Sequence, residues 1–166
     1  DLWRGGVLPT ETVERSRRLH TEFYHRLRQV LDDLLERHGG FVLYDVHSYN
    51  DRPKEGAASG PFVNLGTGSL PRRWSPVADA FLESMRSAEV SGKPLDAEEN
   101  VVFRGRHVAG FVHDVYGETA CALAIEFKKS FLDEWSGEVY PEAMTALAAA
   151  LAASVDPTWK AHQACR

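Results

Sequence analysis

The sequence has few cysteines and therefore little means of covalent stabilisation. Only two occur among 166 residues, Cys121 within an apolar run and Cys165 next to the end. Such a pair offers neither a disulfide framework nor the spacing of a zinc ribbon. A chain of this length can bury a hydrophobic core without cross-links. We therefore expect a reducing, cytoplasmic location.

Long apolar runs and an excess of basic residues are also absent. No stretch approaches the roughly 18 apolar residues of a transmembrane helix, and a charged-then-apolar leader is lacking. Lys and Arg number 19 against 24 Asp and Glu, a formal charge of −5. We therefore expect neither a membrane nor a nucleic acid as a partner, while the oligomeric state stays open. The sequence starts at Asp1 rather than at a methionine, so we expect a further segment upstream.

Hydrophobic periodicity divides the chain into helices and strands. Apolar spacings of three and four predict a helix over residues 11–38, with Thr10 as its N-cap and Gly39 within its stop signal. Apolar, β-branched or aromatic runs predict strands over residues 41–47 and 120–127. Alternation of this kind is typical of an α/β fold.

The remaining segments are less regular. Ser75-Pro76 predicts the start of a helix that runs to about residue 90, and Tyr140-Pro141 that of an alanine-rich helix to about residue 154. A short strand is expected over residues 100–103, and residues 48–70 are expected to form a long loop of the kind that often lines a site. We predict one domain over residues 1–166, with a mixed central sheet flanked by helices.

Asp45 and His47 end the first predicted strand. Residues two apart in a strand share a face, so both side chains point the same way. Open α/β sheets bind ligands beyond the carboxyl ends of their strands. A metal-bound imidazole usually donates its second N–H to a carboxylate, which Asp45 could provide. The alternative is a structural role for the pair in the core or at a cap.

Glu126 interrupts the apolar run of the second predicted strand. Its neighbours on the same face, Ala122 and Ala124, are small and leave room beside the carboxylate. A carboxylate in such a place must be paired, protonated or exposed in a cleft. Two interpretations stay open, a structural salt bridge to Lys128 or an arginine, and a functional carboxylate.

Other candidates carry weaker signals. Ser48 faces away from His47, and no glycine-flanked nucleophile elbow surrounds it, so serine hydrolysis is disfavoured. The spacing of His107 and His113 matches no helical pair of metal ligands, and we interpret them as surface or supporting residues. Three arginines are candidates for binding an anionic substrate, although each alone is as consistent with a solvated charge: Arg52, Arg104 and Arg106.

The segment from Tyr44 to Asn50 resembles the Asp-x-His-Ser segment of N-formylglutamate amidohydrolases and, more distantly, the His-Ser-Tyr segment of zinc carboxypeptidases. Four further segments resemble the same family in the same order: Phe23-Tyr24-His25, Phe62-Val63-Asn64-Leu65-Gly66-Thr67, Ala124-Ile125-Glu126-Phe127 and Phe131-Leu132-Asp133-Glu134. Together they cover residues 2–140. Agreement among several ordered segments is more specific than any one of them.

The resemblance implies a zinc-dependent hydrolase of the amide bond in N-formyl- or N-acyl-amino acids such as N-formylglutamate. It implies a phosphorylase/hydrolase-like, zinc-peptidase-like fold that is incomplete at the N-terminus. By the resemblance, His47 is a zinc ligand, Glu126 is the general base, and Asp45 and His25 support them. We expect the substrate to contact six residues: Ser48, Asn50, Arg52, Asn64, Arg104 and Arg106.

One departure from the family pattern opens an alternative. The family's other two zinc ligands, a histidine and a glutamate, have no counterpart in this sequence, nor does its Asn-Arg pair. The chain is therefore expected to be the C-terminal part of such an enzyme. The alternative is a metal-free binding or regulatory protein that retains the fold, because fold does not determine function.

Overall fold

The computed structural model describes residues 6–51, 58–90 and 92–166, in two units that divide at Gly40. The N-terminal unit contains α1, Thr10–His38. Gly39 ends this helix in the left-handed conformation, with φ of 70°, and its N–H donates to Leu35 O at 2.7 Å. The prediction that Thr10 caps the helix is wrong, because Pro9 occupies the N-cap position and Thr10 is the first helical residue.

The second unit, Phe41–Arg166, is built on a mixed sheet of four strands. The strands are β1 (Val42–Tyr49), β2 (Val63–Gly66), β5 (Ala97–Glu99) and β6 (Cys121–Lys128), in the order β1-β6-β2-β5. The β1 and β6 strands are parallel, β2 is antiparallel to β6, and β5 is parallel to β2. Two-residue strands β3 (Glu89–Val90) and β4 (Lys93–Pro94) form a separate antiparallel pair. The expected mixed α/β sheet flanked by helices is confirmed.

One face of the sheet holds the main hydrophobic core. Leu123, Ile125 and Phe127 of β6 are buried there with side chains of α2 (Ser75–Arg86) and α4 (Pro141–Ala164). Because side chains alternate along a strand, the other face of β6 carries Ala122, Ala124 and Glu126. The sheet therefore has one packed apolar face and one face lined by small residues and a carboxylate.

Several elements differ from the sequence-based assignment. The predicted loop 48–70 contains β2, whose residues are all buried. The short strand expected at residues 100–103 lies earlier, at β5, and a helix that we did not predict, α3, spans Val108–Tyr116. A single 3-10 turn, Arg72–Trp74, precedes α2, which ends at Arg86 rather than near residue 90.

Helix α4 continues to Ala164, ten residues or so beyond the predicted end, because its later turns make polar contacts. The Tyr44 hydroxyl donates to Thr158 Oγ1 at 2.9 Å. His162 is fully buried, stacks on Trp74 with ring centroids 4.6 Å apart, and its Nε2 lies 3.0 Å from Thr119 O. These contacts stabilise the last turns of α4, whose mixed polar and apolar composition does not by itself indicate a helix. In the part of the chain that the structure describes, no helix has the length and apolar character needed to span a membrane.

Candidate active site

The site begins with a row of side chains across neighbouring strands. His47 of β1 is registered with Glu126 of β6, and Glu126 is registered on its other side with Asn64 of β2. Registered residues of neighbouring strands point to the same face of a sheet. The side chains of His47 and Glu126 line the same cavity.

His47 is held by the carboxylate two residues before it. Its Nε2 lies 2.8 Å from Asp45 Oδ1, and the two side chains are 53% and 16% exposed. The other ring nitrogen, Nδ1, has no hydrogen-bond partner among the described residues. The hydrogen bond fixes the ring orientation and leaves one nitrogen available to a ligand.

Glu126 has no counter-ion within salt-bridge distance among the described residues. The lysine that offered a structural explanation, Lys128, instead pairs with Asp51 at 2.7 Å. Burial raises the pKa of Glu126, and the negative charge of Asp45 raises it further, while His47 acts in the opposite direction. A partly buried, unpaired carboxylate in a cleft is a typical feature of functional sites.

The cleft has a volume of about 450 Å³, within the range of small-molecule sites. Its floor is the row of Asp45, His47, Ala124 and Glu126, and its wall is the segment 102–108. The wall approaches the sheet closely because Gly66 and Gly105 lack side chains. A Cβ on Gly66 would lie 2.4 Å from Gly105 N. The lack of a side chain at Gly66 and Gly105 therefore lets the wall pack close to the sheet.

Asn64 attaches this wall to the sheet. The residue is fully buried; its Nδ2 donates to Phe103 O at 2.9 Å, and its Oδ1 accepts from Val102 N at 2.8 Å. The ring of Phe103 also packs on Tyr49, with centroids 5.6 Å apart. The structure thus places Asn64 as a support for the wall. Asn64 does not line the cleft, because the amide is enclosed and its polar atoms bond to the wall.

The remaining predicted substrate contacts are distributed unevenly. Arg104 and Arg106 line the cleft, are exposed, and make no ion pair with a described residue. Ser48 is not brought into the cleft, because it lies on the opposite sheet face and lines an apolar groove beside α4. Asn50 is exposed just beyond β1 and does not line the cleft. Arg52 lies outside the described residues.

The last predicted residue, His25, lies in the other unit of the chain. It is exposed on α1, where it lines a shallow polar surface with Arg17 and Glu22. All residues of the cleft belong to the unit that begins at Phe41. The supporting role of His25 stays a prediction.

The two histidines near α3 have different surroundings. His113 is structural: Ala122 N–H donates to its Nε2 at 3.0 Å, and its Nδ1 lies 3.0 Å from Ser69 Oγ. Burial lowers the pKa of His113, consistent with a neutral ring. His107, by contrast, lines the cleft. Its position was missed because it depends on the wall and on α3, which the sequence did not predict.

The donor atoms in the cleft fit only part of the zinc site that the resemblance implies. Zinc sites in hydrolases usually have three protein ligands. In residues 6–51, 58–90 and 92–166, no group of three or more His, Cys, Asp or Glu side chains is arranged to hold a metal ion. His47, with one oriented and one free ring nitrogen, fits one ligand position but not a complete site.

The sequence of this chain matches a known protein family. The family model for N-formylglutamate amidohydrolase matches residues 1–132 of the 166. The chain belongs to this family. The match includes the strands that carry His47 and Glu126, so the resemblance of the short motifs extends over most of the chain.

A similar fold occurs in the crystal structure of N-formylglutamate amidohydrolase from Ralstonia eutropha JMP134. The TM-score is 0.68 at 14% sequence identity, with 92% of this chain and 57% of that chain covered. The chain thus spans a little over half the length of that amidohydrolase. At this identity the likeness establishes the fold alone. No curated protein matches the sequence.

The attachment of the wall by Asn64 predicts the effect of removing its amide. Asn64→Ala removes the hydrogen bonds that Asn64 makes with the part-buried backbone groups of Val102 and Phe103, so the free energy of unfolding should fall by about 1–3 kcal/mol. Urea denaturation measures this. The matched control is Asn50→Ala, since Asn50 is exposed, and it should change stability by less than about 0.5 kcal/mol. Equal effects of the two substitutions would contradict the supporting role of Asn64.

The raised pKa of Glu126 predicts a pH-dependent stability. The pKa of Glu126 is higher in the folded than in the unfolded state, so folding favours the protonated carboxyl group. Its contribution to stability is therefore fully present below its ordinary pKa of 4.5. The contribution is lost as the pH rises through the pKa of the folded state. Glu126→Gln should therefore be more stable than the wild type at neutral pH, and this gain should vanish below about pH 4. The free energy of unfolding is measured against pH in a chelator, which keeps metal charge from altering the pKa. The control is Glu83→Gln, at an exposed position on α2, and its free energy of unfolding should show the same pH dependence as that of the wild type. If Glu126→Gln is more stable than the wild type by the same amount at every pH, the assigned pKa shift is refuted.

Proposed function

We propose that this protein is a zinc-dependent hydrolase that cleaves the amide bond of N-formyl- or N-acyl-amino acids, with N-formylglutamate as a candidate substrate. The observation that supports this most directly is the row in which His47, oriented by Asp45, lies beside an unpaired Glu126 in a cleft. Family membership supports the reaction type. The cleft has a suitable size for a substrate of this class.

Glu126 acts as the general base in this proposal. Its carboxylate accepts a proton from a water molecule as the water oxygen bonds to the acyl carbon, and the carbonyl π pair moves onto the acyl oxygen. An electron pair on the acyl oxygen then re-forms the C=O bond as the C–N bond breaks; the C–N pair passes to nitrogen, and Glu126 delivers the proton there. The products are a carboxylic acid and the free amino acid. A raised pKa makes the carboxylate a stronger base, which suits this role.

His47 provides one zinc ligand in this proposal. The described residues hold no complete ligand set, so the other ligands must come from elsewhere in the intact protein. Bound zinc supplies polarisation of the acyl oxygen and a more acidic water. The hydrogen bond between His47 and Asp45 fixes the orientation of the ring.

Arg104 and Arg106 bind the carboxylate groups of the substrate. Both line the cleft and have no ion-pair partner among the described residues. Guanidinium groups form paired hydrogen bonds with carboxylates. Both arginines lie on the wall, whereas Asp45 and Glu126 lie on the floor. The substrate carboxylates are therefore bound away from the groups that carry out hydrolysis.

A metal-free binding protein of the same fold is the second candidate. It is favoured by the lack of a three-residue metal group in the described part of the chain. Such a protein would bind N-acyl amino acids through the arginines and would hydrolyse none of them. Metal content and turnover together discriminate between the two candidates.

Substitutions in the intact protein test the assigned roles. Glu126→Gln should retain zinc and lose about 10²–10⁴-fold in kcat, because glutamine preserves shape but cannot accept the proton. His47→Ala should lose both zinc and turnover. Bound zinc is measured by elemental analysis, and hydrolysis is assayed with N-formylglutamate and a panel of N-acyl amino acids.

The control is again Glu83→Gln on the exposed side of α2, which should keep wild-type metal content and rate. Unchanged turnover in Glu126→Gln would exclude Glu126 as the base, and loss of zinc in that variant would make it a ligand. A wild-type protein that binds these compounds without zinc and without turnover would establish the binding protein instead.

A further inference from the structure

His107 has an unusual backbone conformation for its residue type. Its φ is 55° and its ψ is −102°, and the only other described non-glycine residue with positive φ is Asn100. Residues other than glycine seldom adopt such angles, which carry a strain of about 1–3 kcal/mol. Strained residues of this kind concentrate at functional sites, where the surroundings hold them in place.

The segments on both sides of His107 explain how the strain persists. Gly105 is confined between β2 and β6, since a Cβ there would lie 2.8 Å from Gly66 O and 2.9 Å from Ala124 Cβ. On the other side, α3 is fixed to the sheet by buried Ala109 and Val112 and by the hydrogen bond between Ala122 N and His113. Only Arg106 and His107 lie between Gly105 and the start of α3, and His107 is the one of the two that has positive φ.

The strain also determines where the side chain lies. The imidazole of His107 lines the same cleft as His47 and Glu126, is exposed, and has no hydrogen-bond partner among the described residues. In contrast to Asn100, whose amide bonds to Thr67 N and Thr67 Oγ1, the imidazole makes no hydrogen bond to a described residue that would offset the strain. The ring is therefore free to hydrogen-bond a ligand in the cleft.

We propose that His107 is a further catalytic residue, whose imidazole N–H donates a hydrogen bond to the acyl oxygen of the substrate and to the negative charge that develops on that oxygen as water adds. The inference rests on the proposed hydrolase function. In this inference the three donors of the wall have two different tasks. Arg104 and Arg106, which have long side chains, bind the substrate carboxylates. His107, which has a shorter side chain, donates to the acyl oxygen close to the floor. A fixed donor of this kind acts mainly in the transition state.

Two substitutions separate the imidazole from the strain. His107→Ala keeps a Cβ and hence the strain, whereas His107→Gly removes both the ring and the strain. Both should lower kcat by about 10²–10³-fold with little change in KM, as expected for the loss of one transition-state donor. Only His107→Gly should raise Tm, by about 2–4 °C. Free imidazole should restore part of kcat in His107→Gly, a response that a merely structural role would not produce. His20→Ala is the control: His20 is exposed on α1, with its ring tilted against that of Tyr24, and the variant should keep the wild-type rate.

The outcomes distinguish this inference from the proposed function. If the wild type hydrolyses the panel and either His107 variant keeps its kcat, the role of His107 is refuted while the hydrolase stands. A loss of kcat that imidazole does not restore also refutes it. A wild type that hydrolyses no member of the panel overturns the proposed function and this inference with it.

Discussion

The parallel pairing of β1 with β6 is the constraint on which the site depends. It sets His47 beside Glu126 and Asp45 beside Ala124 in a single register. A shift of one residue in either strand would turn one partner to the opposite face. The register is fixed by burial, because the other face of β6 carries Leu123, Ile125 and Phe127 in the core. Hydrophobic packing on one face therefore aligns the polar groups on the other.

The cleft face has the properties of a surface shaped for a ligand at some expense of stability. Ala124 and Gly66 contribute little packing, Glu126 has a raised pKa, and His107 has a strained backbone. None of these features is favourable in a fold that has only to be stable. Their concentration in one cavity is the physical argument for a function there. Asn64 and the close contact of Gly66 with Gly105 hold the wall in place so that these features persist.

The sequence predicted the parts of the fold that have strong periodicity and composition. The strands β1 and β6, helix α1 and the start of α4 were found because their apolar patterns are long. In contrast, β2 was missed, since Val63–Gly66 is short and contains Asn and Gly, which are poor strand formers that become buried through tertiary pairing. Helix α3 was missed because its residues, among them Gly110, His113 and several β-branched ones, form a helix by packing on β6. The wall and the position of His107 depend on both missed elements and could not be derived.

The same division explains the predicted site residues. Asp45, His47 and Glu126 follow from alternation along two strands, so their common cleft was predictable. The role of Asn64 was not, because its partners are the Val102 and Phe103 backbone groups of a loop. Alternation did assign Ser48 to the face opposite His47, and only the resemblance made it a candidate substrate contact. The zinc ligands could be predicted no further than His47, because no group of three or more His, Cys, Asp or Glu side chains in the described residues is arranged to hold a metal ion.

The central claim is that His47 and Glu126 face one metal-binding, hydrolytic cleft. Anomalous X-ray diffraction at the zinc absorption edge, from crystals of the zinc-loaded intact protein, tests it most directly. The account predicts an anomalous peak about 2.0–2.1 Å from a ring nitrogen of His47, with the Glu126 carboxylate facing the same cavity without a bond to the metal. Zinc bound away from His47, or His47 and Glu126 opening onto different cavities, would contradict it.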